Sequence, residues 1–318
     1  GVLGFGTDDN GDFRLNGNVQ LSLNNVFNSL EEIRLNWIGT ANKNTSLNIG
    51  VKVHYLFKSA IGSETNFKLF KQDSVFVNLD FSERLFYQLN LNSNIGVSGI
   101  IQSSNFLLED DSYLKSSYDD YSKIGFGLNY HYFLKHHFRL MEGKSMLNIA
   151  VNSIRKKEKN FSWTEDLENK TVNQVEVGLK TFRLFELSKK HFLKAGAEFR
   201  GLLTKDDDFS ENELYRIGGF GSFRGFNEES ITANMYGFLS ADYRFVPSEA
   251  FYIGLFADYG FIDNKRANLN TSLLSLGTGI SFLTKMGIFN LSYAVGKTDE
   301  TSFDFKESKI HFGILSQF

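Results

Sequence analysis

The chain has 318 residues, a formal charge of −3, no cysteine and a single proline against 28 glycines. The missing cysteine excludes disulfides, thiolate catalysis and cysteine-held zinc, and the near-balanced charge offers no polycationic face for nucleic acid. The longest uncharged stretch, Leu85 to Leu108, carries ten Asn, Gln or Ser residues, so it cannot lie as a helix in hydrocarbon.

From the start, apolar residues recur at every second position. In "DFRLNGNVQLSLNNVF" Phe13, Leu15, Val19, Leu21 and Leu23 oppose Arg14, Asn16, Asn18, Gln20 and Ser22. Period two marks a strand with one apolar and one polar face. The pattern returns in "SLNIGVKVHYLF", where Leu47, Ile49, Val51 and Val53 oppose Asn48, Gly50 and Lys52. It returns in "KAGAEFRG" from Lys194. In "FYIGLFADYGF" Ile253, Leu255, Ala257 and Tyr259 oppose Gly254, Phe256, Asp258 and Gly260. Taken in order, the alternation predicts sixteen strands over 2–6, 12–26, 31–39, 45–57, 63–80, 84–92, 95–104, 121–134, 144–157, 172–187, 190–204, 236–246, 250–262, 273–283, 287–297 and 308–318. Most reach the roughly 9–11 residues that a tilted strand needs to cross a bilayer.

The connections are uneven. After even-numbered strands they are mostly short, as at "NSL", "NSN", "PSE" and "TKM"; after odd-numbered ones several are long and acidic, as at "LEDDSYLKSSYDD", "KDDDFSENE" and "KTDETSFDF". That asymmetry fits an all-β, sixteen-stranded antiparallel transmembrane barrel, with turns on the periplasmic side and loops outside. A soluble sandwich or lipocalin-like barrel is the other reading of the same alternation, since parity does not say which face is inside. Sixteen strands are too many for one packed soluble barrel, and large barrels enclose a polar lumen. The closing strand, "KIHFGILSQF", sets Ile310, Phe312, Ile314 and Phe318 on one face, with an aromatic carboxy terminus that resembles the recognition signal of outer-membrane proteins.

One segment breaks the pattern. "RIGGFGSFRGF", between the eleventh and twelfth strands, crowds Gly218, Gly219 and Gly221 ahead of Phe223, Arg224, Gly225 and Phe226. It resembles the signature of the Omp85 superfamily (BamA/TamA-like, bacterial surface antigen type), a branched residue followed by Arg, Gly and an aromatic at the tip of the sixth extracellular loop. Phe223 stands at the branched position. The opening "GVLGF…LNGNVQLSLNNVF" resembles the first two barrel strands of Bacteroidota members. The resemblance implies that the loop folds into the lumen and that Arg224 pairs with acids on the twelfth and thirteenth strands. By parity those are Asp242 and Asp258. The family more often has Glu at the first, so Asp258 is expected as the firmer partner. Arginine suits the task because its planar guanidinium stays charged and forks onto carboxylates.

The resemblance further implies one domain over residues 1–318 without a POTRA module, no enzymatic activity, no cofactor and a bacterial (Gram-negative) outer-membrane location. Its function would be assembly, insertion or translocation of outer-membrane components through a weakly paired seam between the first and last strands. The short first strand, Val2 to Gly6, fits such a seam. The partners implied are outer-membrane lipid and lipopolysaccharide, with a substrate polypeptide, a periplasmic partner or a second copy of the chain left open. Two other functions stand beside it: a structural or interaction barrel that handles no polypeptide, and a largely plugged passive pore. No G-x-S-x-G nucleophile motif occurs. His136 and His137 lack a third ligand for a metal, and the acidic loops near Asp110 and Asp206 lack EF-hand spacing, so no metal site is expected and both read as solvated. Glu176 and Glu198 share a face with Lys180, Lys194 and Arg200, which reads as a charge-balanced pore wall.

Overall fold

The computed structural model describes residues 2–7, 13–40, 44–107, 118–141, 143–159, 170–219, 221–285 and 287–317, with side chains described from Val19 to Gly313 apart from Lys159. Among the described residues sixteen strands form one sheet. They are β1 (Val2–Thr7), β2 (Phe13–Asn24), β3 (Glu31–Gly39), β4 (Asn44–Val53), β5 (Ile61–Gln72), β6 (Phe76–Asn90), β7 (Ser93–Phe106), β8 (Asp120–Leu134), β9 (Ser145–Lys159), β10 (Thr171–Ser188) and β11 (His191–Thr204). After a long connection come β14 (Met235–Ser248), β15 (Phe251–Asn264), β16 (Leu269–Thr284), β17 (Gly287–Thr298) and β18 (Lys309–Gln317). That connection contains a two-stranded hairpin of its own, β12 (Tyr215–Ile217) with β13 (Ile231–Ala233). Among the described residues no helix is long and apolar enough to cross a membrane, which says nothing of strands.

Each strand pairs antiparallel with the next, and β11 pairs with β14 across the connection. The two ends of the sheet meet at β2. One edge of β2 pairs with β3 over Gly17–Asn24. On the other edge β1 covers Phe13–Asn18, and the end of β18 pairs in parallel with Gln20–Ser22. The sheet is therefore a closed barrel, but its joint is not the expected one between the first and last strands: β18 meets β2 over Leu315–Gln317, while β1 pairs with β2 beside it.

The faces run opposite to those of a soluble barrel. On β15, Phe256, Asp258 and Ile262 are buried, whereas Ile253, Leu255, Tyr259 and Phe261 are exposed. On β8, Lys123 and Asn129 are buried, and Ile124, Phe126 and Leu128 stand out at 62%, 72% and 66% exposure. Polar groups inside and apolar side chains outside form a stable surface only where the surroundings are themselves apolar. Buried charges then require partners within the lumen.

The expected spans agree with the strands to within four residues except at one boundary. A single strand over 63–80 was expected; the chain instead turns between Gln72 and Phe76. Asp73 takes φ +41 there, a left-handed conformation that Asp tolerates better than most residues. The turn has no glycine or proline; its one trace is a run of four polar residues, Lys71–Ser74, which interrupts the apolar row of Phe67, Leu69, Val75 and Val77. The fourth strand also stops at Val53, four residues before its expected end, and a single 3-10 turn follows at Leu56–Lys58.

Candidate functional site: an arginine held in the barrel interior

The β11–β14 connection enters the barrel and touches opposite walls. Its chain reversal depends on glycine: Gly218 and Gly219 take φ +111 and +94, values strained for any residue with a Cβ. Gly219 N–H donates to the Phe223 carbonyl at 3.0 Å, closing the tip, while Gly221 is exposed. Gly225 takes φ +84 and lies against β16 and β17: a Cβ there would come within 2.9 Å of the Gly296 nitrogen and 3.1 Å of the Ser275 Cβ.

The side chains of the tip fill the space between these walls. Phe223 is completely buried, packed with Ile217, Tyr236, Ile262 and Leu273. Its ring meets Phe238 edge-on at 5.7 Å and Phe226 at 5.6 Å. Phe226 in turn covers Gly296, where a Cβ would come within 2.6 Å of its ring. These contacts fix the backbone on both sides of Arg224.

Arg224 then reaches both acids. Its Nε donates to Asp258 Oδ2 at 2.8 Å and its Nη2 to Asp258 Oδ1 at 2.5 Å. Nη2 also donates to Asp242 Oδ1 at 2.8 Å. The guanidinium lies 3.6 Å from the centroid of the Phe256 ring, a cation–π geometry. Burial alone would lower the arginine pKa; the hydrogen-bonded Asp258 and the charge of Asp242 more than reverse this and hold the cation firmly charged. Asp242, shorter than Glu, still reaches, and it also accepts from Arg244 at 3.3 Å. Gly225 N–H donates to His311 Nε2 at 3.3 Å, so the motif touches β18 as well. Sequence reasoning missed His311 and Phe256. Phe256 shares the inward parity of Asp258; His311 faces inward between Ile310 and Phe312 but carries no signal of its own.

A second anchor, on the opposite wall, was not foreseen. The acidic stretch from Lys205 to Glu213 was expected to be solvated. Asp206, Asp207 and Asp208 are exposed, yet Phe209, Ser210, Asn212 and Glu213 are buried. Glu213 Oε2 pairs with Lys123 at 2.7 Å, and its Oε1 with Lys156 at 2.8 Å. Gln174 Nε2 donates to Oε2 at 3.1 Å and Ser210 N–H to Oε1 at 2.8 Å. Burial favours the neutral carboxyl, but the two ammonium groups outweigh it and bring the Glu213 pKa down to about 2. Beside it, Asn212 Nδ2 donates to Ser104 Oγ at 2.6 Å and to the Asp119 carbonyl at 2.7 Å. Its own carbonyl accepts from Asn78 Nδ2 at 2.6 Å and Tyr121 OH at 3.2 Å. Farther along, Arg216 donates to Gln72 and Tyr215 to Glu176. The segment thus crosses the interior, bound to β6–β10 at its start and to β14–β18 at its tip.

The other expected residues fall as follows. Glu198 pairs with Lys180 at 2.6 Å and Glu176 with Arg200 at 3.4 Å, while Lys194 sits over the Phe182 ring at 4.7 Å. His136 and His137 stack on each other at 4.2 Å; His136 is half-buried, not freely solvated, because the β8–β9 connection folds Leu140 and Met141 into the barrel mouth. Among the described residues no group of three or more His, Cys, Asp or Glu could hold a metal. Ile310 and Phe312 are exposed on β18. Phe318, the Ile314 side chain and Asp110 lie outside the described residues.

Comparison with known proteins agrees with this architecture. Residues 170–318 match the Omp85 superfamily domain. No curated protein matches the chain in sequence. Among solved structures, BamA from Haemophilus ducreyi lacking POTRA domains 1-3 superposes over 98% of this chain and 73% of its own, with a TM-score of 0.61 and 13% identity. CdiB from Acinetobacter baumannii matches over 97% of this chain and 57% of its own (TM-score 0.57, 16% identity). CdiB from Escherichia coli matches over 98% and 61% (TM-score 0.59, 14% identity). The chain therefore spans about six-tenths of the CdiB structures. At these identities the likeness is one of fold.

Proposed function

Because residues 170–318 match the Omp85 superfamily domain, we propose that the protein is an outer-membrane barrel that inserts or translocates polypeptide, with its short turns on the periplasmic side. The observation that carries this reading is the joint at β2. β1 pairs with β2 over Val2–Thr7 and β18 over only Leu315–Gln317, whereas β10 and β11 pair from Gln174 to Ser188. A joint with few ladder bonds opens more readily than any other edge of the sheet, and an open edge templates an incoming strand. The Arg224 lock holds β14 and β15 in place while that edge moves.

The test is a cross-link. Ser316 and Leu21 are Cα partners across the joint, and the chain has no cysteine of its own. Leu21→Cys with Ser316→Cys, reconstituted in liposomes, should support folding of an unfolded outer-membrane substrate when reduced and lose it when oxidised. Equal activity in both states refutes an opening joint. A second reading, a structural barrel that handles no polypeptide, draws support from the two-walled anchoring of the interior segment, which favours a closed state. On that reading the reduced protein shows no activity either.

A further inference from the structure

The end of the barrel with short turns contains a basic notch. β9 pairs with β10 only as far as Ser145 opposite Arg183, but β10 runs on to Ser188. The overhang faces the β8–β9 connection, where Leu184 N–H donates to the Lys144 carbonyl at 2.8 Å. Between them lies a cavity of about 550 Å³, lined among the described residues by Lys135, His136, His137, Lys144 and Arg183, with the acid Glu186 beside them. Lys135, Lys144 and Arg183 are exposed, and Lys189 and Lys190 follow in the adjoining turn. His136 Nδ1 accepts the Phe138 N–H at 3.1 Å, so in the neutral ring the proton sits on Nε2, where it can donate. Edge-on contact with Phe192 holds the ring in place.

The notch stands where the apolar outer face ends. Arg183 shares the outward row of β10 with Phe185, and its guanidinium lies 5.4 Å from that ring. Around the same end Tyr243 bonds His191 at 2.5 Å, and Phe282 stacks on Phe289 at 5.1 Å. Aromatic girdles of this kind mark the level of lipid headgroups on a membrane barrel. Positive side chains at that level meet phosphates, while the apolar wall beside them meets acyl chains.

We propose that this notch binds the headgroup of an anionic phospholipid from the leaflet on the short-turn side, with the phosphate between Lys135, Lys144 and Arg183 and the acyl chains along Phe185. The proposal rests on the membrane-barrel reading. A soluble anion would use only the basic half of the site; the adjoining outward row of β10 is explained by a lipid.

Native mass spectrometry of the detergent-solubilised full chain tests it, with phosphatidylglycerol, phosphatidylcholine and inorganic phosphate as probes. Retention of phosphatidylglycerol over phosphatidylcholine is expected. Combined Lys135→Ala, Lys144→Ala and Arg183→Ala should weaken retention on the order of 100-fold, about fivefold for each basic group near an anionic surface. The charge-keeping combination Lys135→Arg, Lys144→Arg and Arg183→Lys should preserve it, which separates a binding effect from a folding one. Equal retention of both lipids, unchanged retention in the alanine variant, or displacement by millimolar phosphate overturns the proposal. Heat-modifiable migration and partitioning into liposomes report separately on the membrane barrel, so the lipid site can fail while the barrel stands.

Discussion

Glu213→Gln probes the second anchor most sharply. The substitution keeps the side-chain shape and removes the charge that faces Lys123 at 2.7 Å and Lys156 at 2.8 Å. Lys156 retains Glu158 at 2.9 Å, so Lys123 bears most of the loss. Leaving a buried charge without its partner costs about 3–5 kcal/mol, and the glutamine carbonyl recovers part of this. The pH dependence gives an independent figure. A carboxyl held at about 2 in the folded protein, against an ordinary 4.5, contributes about 3 kcal/mol. Because the folded pKa is the lower one, that contribution is complete above pH 4.5 and disappears as the pH falls towards 2. The assay is hydrogen exchange across 210–216, corrected for the intrinsic rate at each pH, together with urea unfolding followed by heat-modifiable migration, both between pH 7 and pH 3. Wild-type protein should release the segment as the pH drops. Glu213→Gln should release it already at pH 7, with a flatter pH profile. Adding Lys123→Met should restore much of the protection, since replacing both partners of a buried pair with groups of similar volume is often close to neutral. If Glu213→Gln shows the wild-type pH profile, or if Lys123→Met fails to compensate, the buried pair is not what holds the segment.

Two further substitutions separate the parts of the tip. Arg224→Lys keeps the charge but cannot fork onto Asp258 and Asp242 together; it should cost about 2–3 kcal/mol, seen as lost hydrogen-exchange protection across 218–230 with 210–213 unchanged. Gly225→Ala leaves every polar contact in place but places a Cβ within 2.9 Å of the Gly296 nitrogen at φ +84. It should destabilise the tip by at least about 1 kcal/mol, and a neutral urea midpoint would show that the approach to β17 is not tight.

How much of this was legible in the sequence differs by feature. Alternation is local, because successive side chains on a strand point to opposite faces whatever the strand pairs with. The inward row of Phe256, Asp258 and Gly260 could therefore be read directly, and so could Asp242. The Arg224 motif was legible because glycines of positive φ leave a compositional trace. The turn at Asp73 was not, since it has no glycine or proline and only a run of four polar residues, Lys71–Ser74, marks it.

The sequence by itself determined the strands, their faces and the arginine that needed two acids, because each of these depends on neighbours a few residues away. Only the tertiary structure decided how the sheet closes. Parity does not choose the inward face, although the number of strands pointed to a polar lumen; closure at β2 encloses Lys123, Lys156 and Asp258 and leaves Leu128 and Leu255 outside. Closure also decided that Glu213, in a run of acids that looks solvated, lies between Lys123 and Lys156. Those lysines are about 90 and 57 residues away in sequence, and no periodicity reaches across such a gap. A buried charge is stable only where a partner meets it, and where partners meet is a property of the closed barrel.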